Sequence, residues 1–318
     1  MSILSRSHAR VRSVFVAAGV TVAVGLTVTA CGGGSTTTPT MQHTMMAPTM
    51  TAPTMMATMM APSASGHAGM AGMAGTAEQP VGDGLTAEAS GFRFVPAVSS
   101  LPADAPTSFR FQIVGGTGAP VTAFRPDQTR LMHLYLVRSD LTGFQHVHPT
   151  MAGDGTWTVP LDAVQPGSYR VYASFITTNS SGQDLPLVLS QPVTVAGRSA
   201  VTPLPPASTT TQVDGYTLTL AGEVMAGAAH TLTVTVSKEG APVTDLQPYL
   251  DTYAHLSAFH EGDLAFAHLH PVGATSAAGG GPALSFEAMM AKAGNWRVFV
   301  QFQTAAVLHT AVVTLSVG

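Results

Sequence analysis

The feature that most constrains this chain is an internal repeat. Gly118-Ala119-Pro120-Val121-Thr122 returns as Gly240-Ala241-Pro242-Val243-Thr244, and the match runs without a gap, at a constant offset of 122 residues, to Pro149 and Pro271. Twelve of the thirty-two aligned positions are identical. Each copy contains a hairpin-like segment. The first runs His133-Leu134-Tyr135-Leu136-Val137, turns over Ser139 to Gly143, and returns as Phe144-Gln145-His146-Val147-His148-Pro149. The second runs His255-Leu256-Ser257-Ala258-Phe259, turns at Glu261-Gly262-Asp263, and returns as Phe266-Ala267-His268-Leu269-His270-Pro271. Such a repeat predicts two like units, so the rest of the chain is read against it.

Around the hairpins lie short β-type runs separated by Gly, Pro, Asp and Asn. Phe109 to Val114 and Thr231 to Val236 alternate with period two, and Pro166 to Phe175 matches Ala293 to Phe302. Each half closes on a Val-rich stretch, Val188 to Val195 and Ala306 to Val317. No helical period of useful length occurs; Met289 to Lys292 could form one turn at most. Regularly spaced short strands with turn signals predict all-β sandwiches. The expected domains are 84–198 and 199–318, each of about 115 residues and large enough for its own core, with the boundary near Pro203, Pro205 and Pro206. Trp157, Trp296, Tyr169 and Phe302 are expected in the cores.

Side chains alternate faces along a strand, so His146 and His148 share one face, as do His268 and His270. Directly paired residues of an antiparallel hairpin also share a face. Pairing odd positions of the first strand with even positions of the second puts His133 beside His146 and His148, and His255 beside His268 and His270. Cross-strand Cβ atoms stand roughly 5 Å apart, close enough for three imidazoles to converge on one ion. The two triads are expected either as two sites or facing each other across one. Because duplication copies residues, they are not independent witnesses. His309, near the end of the second half where the first has Ser190, is a further candidate ligand; His230 and His260 have no counterparts and are expected in solvent. Protons compete with metal for imidazole, so binding is expected to fall below about pH 6.

The N-terminus reads as an export signal over residues 1–30. Arg6, Arg10 and Arg12 precede an apolar run from Val14 to Thr29, too short and wrongly flanked for a stable span. The run ends in Val28-Thr29-Ala30-Cys31-Gly32, which resembles the bacterial lipobox; Cys31, the single cysteine, is then the lipidated residue. The alternative is an ordinary signal peptide with an incidental cysteine. Lipidation implies a membrane-anchored, extracytoplasmic protein without disulfides. Residues 31–83 read as a disordered tether rich in Met, Thr, Pro and Ala. Thioethers are soft ligands suited to Cu(I), so Met41, Met45, Met46, Met70 and Met73, with His67, are candidate copper contacts.

The His-Leu hairpin, the His-x-His-Pro strand end and the Pro-Gly-x-Tyr-Arg strand resemble small immunoglobulin-like domains of secreted bacterial proteins, including the YtkA-like group. That resemblance covers about 84–318 in two copies. It implies two tandem immunoglobulin-like β-sandwiches and an association with copper or another heavy metal through the two histidine triads.

Charge excludes other classes. Charged residues are 9% of the chain and the net charge is −4, so no electrostatic surface for nucleic acid is expected. No phosphate loop or nucleophile elbow occurs, and an enzyme is not expected. A blue-copper centre needs a Cys ligand. His-Val-His resembles the paired copper ligands of Cu/Zn superoxide dismutases, but the remaining ligands and the disulfide of that enzyme are missing. Two readings remain. One is a lipid-anchored binder of a transition metal, copper first and zinc second, for buffering, delivery or sensing. The other is a non-catalytic cell-envelope module without a metal site that contacts a protein partner.

Overall fold

The computed structural model describes residues 82–276 and 279–318. Cys31 and the methionine-rich segment lie outside them. The described residues form strands and turns with no helix. The first half contributes β1 (Glu88–Ala89), β2 (Phe92–Pro96), β3 (Ser100–Leu101), β4 (Thr107–Val114), β5 (His133–Arg138), β6 (Gln145–Val147), β7 (Thr150–Met151), β8 (Thr156–Leu161), β9 (Gly167–Thr178) and β10 (Asp184–Val195). They form two five-stranded sheets, ordered β1-β2-β4-β8-β7 and β3-β10-β9-β5-β6. The second half contributes β11 (Thr210–Val213), β12 (Tyr216–Ala221), β13 (Ala229–Lys238), β14 (Ala241–Pro242), β15 (Ala254–His260), β16 (Phe266–Val272), β17 (Ala283–Met289), β18 (Gly294–Thr304) and β19 (Val307–Val317). Its path is β11-β12-β13-β17-β16-β15-β18-β19, with β14 beside β13. The chain is therefore two tandem immunoglobulin-like β-sandwiches.

The His-x-His-Pro motif marks where a strand changes sheets. In the second half Phe266 to Leu269 pair with β15, whereas His270 to Val272 pair with β17 across the sandwich. In the first half the same passage is broken at His148-Pro149, so that β6 pairs with β5 and β7 with β8. Pro has no N–H to give a ladder, and both copies place it at this crossing.

Each sandwich has its own core, one around Trp157, Phe109, Leu134 and Val171, the other around Trp296, Leu256, Val298 and Phe302. Tyr169 is buried too. A third core lies between the halves and joins Tyr135, Val137, Tyr172 and Val188 to Phe259, Phe266 and Phe299. The ring of Phe144 stacks on Phe299 with centroids 4.0 Å apart. This third core explains why all six residues of β5, and all but the last of β15, are buried. A strand with one wet face would alternate; here one face points into its own sandwich and the other into the neighbour.

The segment entering the first sandwich straps the two together. Asp83, read from the sequence as the end of the tether, accepts at its carbonyl from Phe266 N (2.8 Å) and pairs through its carboxylate with Lys292 (3.3 Å). The Gly84 carbonyl accepts from Ser190 Oγ (2.5 Å). Gly84 has φ +69°, and a Cβ there would stand 2.6 Å from Val188 Cγ1, so only glycine lets the strap lie flat on the shared core.

Candidate metal centre

The hairpin registers place Tyr135 opposite His146 and Ser257 opposite His268. Odd therefore meets even, and His133, His146 and His148 lie on one face of the inner sheet of the first half. His255, His268 and His270 lie on the matching face of the second. These faces meet, and five rings form a continuous array: His148–His146 4.8 Å, His146–His255 4.5 Å and His255–His268 4.6 Å between centroids, with His133 5.3 Å from His146. His270 adjoins His268 at 5.0 Å. The two triads thus share one seam between the sandwiches.

Among the described residues, ligand geometry is found at the first triad only: one nitrogen from each of His133, His146 and His148 lies within 4.8 Å of the others. His133 Nδ1 and His146 Nε2 are 3.0 Å apart. Their outer nitrogens both face acceptors. His133 Nε2–H donates to the Asp127 carbonyl (3.0 Å), and His146 Nδ1–H donates to Gln301 Oε1 (2.7 Å), whose amide nitrogen is turned toward Thr310 Oγ1. Neutral imidazole carries one N–H. In the tautomers that hold both protons outside, two lone pairs face each other across the 3.0 Å gap, an arrangement that a cation between them would relieve. Two nitrogens bound at about 2.1 Å to a tetrahedral ion stand roughly 3.4 Å apart, so little movement is needed. His148 Nε2 is buried without a partner, and one nitrogen of His148 completes the cluster. The outer hydrogen bonds, to a carbonyl and an amide oxygen, are of the kind that hold metal-ligating histidines.

Electrostatics favour neutral rings. Burial is the first cause that lowers the pKa of His133, His146, His255 and His268, and neighbouring imidazoles lower the last three further. His148, half-buried, is pushed down to about 3 by burial, by His133 and by Arg130. A proton is thus a poor occupant of the gap, whereas a metal ion bonds the neutral ligand.

The second triad is arranged differently. His255 Nδ1–H donates to Gln128 Oε1 (2.7 Å), Tyr135 O–H donates to His255 Nε2 (3.1 Å), and Gln128 Nε2–H donates to His268 Nε2 (3.3 Å). An amide of the first half lies between two rings of the second. Neither Gln128 nor Gln301 is evident from the sequence. Gln301 has a signal only in hindsight, as the residue of β18 paired with His255 and so on its face.

His309 is not part of this centre. It pairs across β18 with Phe302, whose counterpart Phe175 pairs with Leu187 rather than Ser190, and its ring turns into the far end of the second sandwich. There Nδ1–H donates to Asp214 (2.8 Å), and Nε2 meets Thr304 Oγ1 (2.9 Å) beside Tyr216. His260 is not simply solvated either: it pairs with Asp263 at 2.7 Å. Met41, Met45, Met46, His67, Met70, Met73 and Cys31 lie outside the described residues.

Solved structures that resemble the chain share little sequence with it. The FdeC adhesin of Escherichia coli is 18% identical, with a TM-score of 0.24 over 71% of this chain and 64% of that one. InvD of Yersinia pseudotuberculosis is 13% identical, with a TM-score of 0.23 over 72% and 57%. The Salmonella alpha-2-macroglobulin is 12% identical, with a TM-score of 0.25 over 74% and 15%. The chain spans less than two thirds of the length of each. No curated protein matches the chain. A family model does match, once in each sandwich, over residues 87–183 and 211–318. The chain belongs to the family of that model, described as a domain of unknown function, DUF8832.

Proposed function

We infer that the protein binds a transition-metal ion at His133, His146 and His148. The observation that carries this reading is the convergence of His133 Nδ1 and His146 Nε2, 3.0 Å apart, with their outer nitrogens against the Asp127 carbonyl and the Gln301 amide oxygen. Among divalent ions an all-nitrogen set ranks copper above zinc, and the resemblance to YtkA-like domains points the same way. The candidate lipobox at Cys31 puts the site outside the membrane on a lipid anchor, where buffering, delivery or sensing of copper are the fitting roles. The methionines and His67 of the preceding segment are then an additional soft set for Cu(I).

A second reading has its own support. The histidines also serve as the polar seam of a large apolar interface, in which Tyr135, Gln128 and Gln301 already satisfy several ring nitrogens. On that reading the protein is a cell-envelope module that contacts another protein and needs no ion. Titration of the metal-free chain with Cu(II) and Zn(II) separates the two. The metal reading expects binding that His146→Ala and His148→Ala each abolish and His309→Ala leaves intact. Equal binding by all of these variants, or none by the wild type, leaves the module reading.

A further inference from the structure

The two triads descend from one repeat, yet among the described residues only one has ligand geometry, and a residue that differs between the repeats lies against the other. Both halves carry the same tight turn just before the first histidine. In the first half Asp127 and Arg130 exchange backbone hydrogen bonds of 2.8 and 2.9 Å around Gln128 (φ 43°) and Thr129 (φ 70°); in the second, Tyr249 and Thr252 do so around Leu250 (φ 55°) and Asp251 (φ 62°). Two left-handed residues between paired strand ends are the geometry of a two-residue hairpin turn. Gln128 and Leu250 occupy the same place in it, at the repeat offset of 122. From that place Gln128 reaches across the seam with both ends of its amide engaged, at 2.7 Å from His255 Nδ1 and 3.3 Å from His268 Nε2. Leu250 has no polar atom with which to do the same to the first triad.

We propose that Gln128 is an internal plug: its amide takes the place of an ion between His255 and His268, so that the seam binds one metal ion rather than two. This rests on the metal reading of the first triad and decides its stoichiometry. A side-chain amide can do what an ion does for two imidazoles. It takes the proton of one through its oxygen and offers a proton to the lone pair of the other through its nitrogen. The substitution is incomplete. His268 is 3% exposed, and its Nδ1 is buried without a partner, a deficit that buried polar groups rarely carry. The ring thus keeps a feature of a ligand whose ion has been replaced. Withdrawal of the amide would leave His255 Nδ1 and His268 Nε2 open toward the space it filled, with His270 alongside.

The test is the number of Co(II) ions bound by the full chain at neutral pH, read by the visible bands of nitrogen-coordinated cobalt and by metal analysis after desalting. Co(II) suits imidazole better than thioether, so the methionines do not obscure the count. The expected results are one ion for the wild type, two for Gln128→Ala, and one again for Gln128→Ala combined with His268→Ala. Gln128→Asn keeps an amide one methylene short of the rings and tolerates the left-handed turn. It should also bind two, and it keeps the test open should the alanine variant not fold. A wild type that binds two ions, the second lost in His268→Ala, overturns the plug but leaves the metal reading standing. Retention of a single ion by both Gln128 variants overturns it as well. A wild type that binds neither Co(II) nor Cu(II) removes the metal reading and the plug with it, since copper binds a nitrogen site more tightly than cobalt.

Discussion

Gln145 shows how much one side chain depends on its face. It points away from the seam, which by alternation alone makes it an inert neighbour of the ligands. In the fold its amide accepts from Asp162 N (2.9 Å) and donates to Asp162 O (3.2 Å), tying β6 to the end of β8. Gln145→Ala should therefore leave metal affinity unchanged and lower stability by about 0.5–1.5 kcal/mol, the usual worth of such a bond; parallel metal titration and urea unfolding would check both halves of the statement. The same scale revises the pH dependence of binding. Free imidazole loses metal to protons below about pH 6, but the ligand rings all have lowered pKa values, His148 at about 3. Protons compete less, and the fall in affinity should come at a more acid pH than for free histidine. A titration series from pH 7.5 to 4.5, with a midpoint at or above 6, would contradict this.

At the scale of elements, the two hairpins do two jobs with opposite faces. Leu134 and Leu136 on one side, and Leu256 and Ala258 on the other, fill the separate cores; Tyr135 and Phe259 fill the shared one. The stacked pair Phe144 and Phe299 spans the seam. Phe299 is 4% exposed, so Phe299→Ala should lower stability by about 3–5 kcal/mol. A double-mutant cycle with Phe144→Ala should give a coupling of about 0.5–1.5 kcal/mol; additive losses would mean that the first hairpin and β18 of the second half do not lean on each other.

The whole molecule behaves as two sandwiches with one seam. Each half is long enough for its own core, and the sequence alone leads one to expect that 84–198 and 207–318 fold separately. The shared core makes separation unfavourable, because Tyr172, Phe259, Phe266 and Phe299 would face water. The isolated fragments should be less stable than the intact chain and should associate when mixed, which sedimentation would show. The seam also links stability to pH. His133, His146, His148, His255 and His268 have folded pKa values below their unfolded value near 6.5, so the unfolded chain binds more protons as pH drops. Their contribution is fully present above about pH 6.5 and is lost progressively below it, at up to about 1.4 kcal/mol per pH unit for each fully buried ring. His148, only half-buried, contributes less through screening. The metal-free chain should accordingly show a lower urea midpoint at pH 5 than at pH 7.5. An unchanged midpoint would mean that the rings are not held neutral in the fold.

The sequence by itself determined the periodic facts. Alternation, turn residues and a constant repeat offset establish the all-β class, the duplication and the face shared by His133, His146 and His148, because strand period and hairpin parity are local properties of the backbone. The burial of Trp157 and Trp296 was legible for the same reason. What only the tertiary structure decided depends on which surfaces meet. That the two histidine faces meet each other, that Gln301 of one half orients His146 of the other, that His309 turns to Asp214, and that Gln128 enters the second triad are contacts between residues 95 to 155 positions apart. No local pattern encodes them, since they arise only when segments distant in the chain pack together and exclude water.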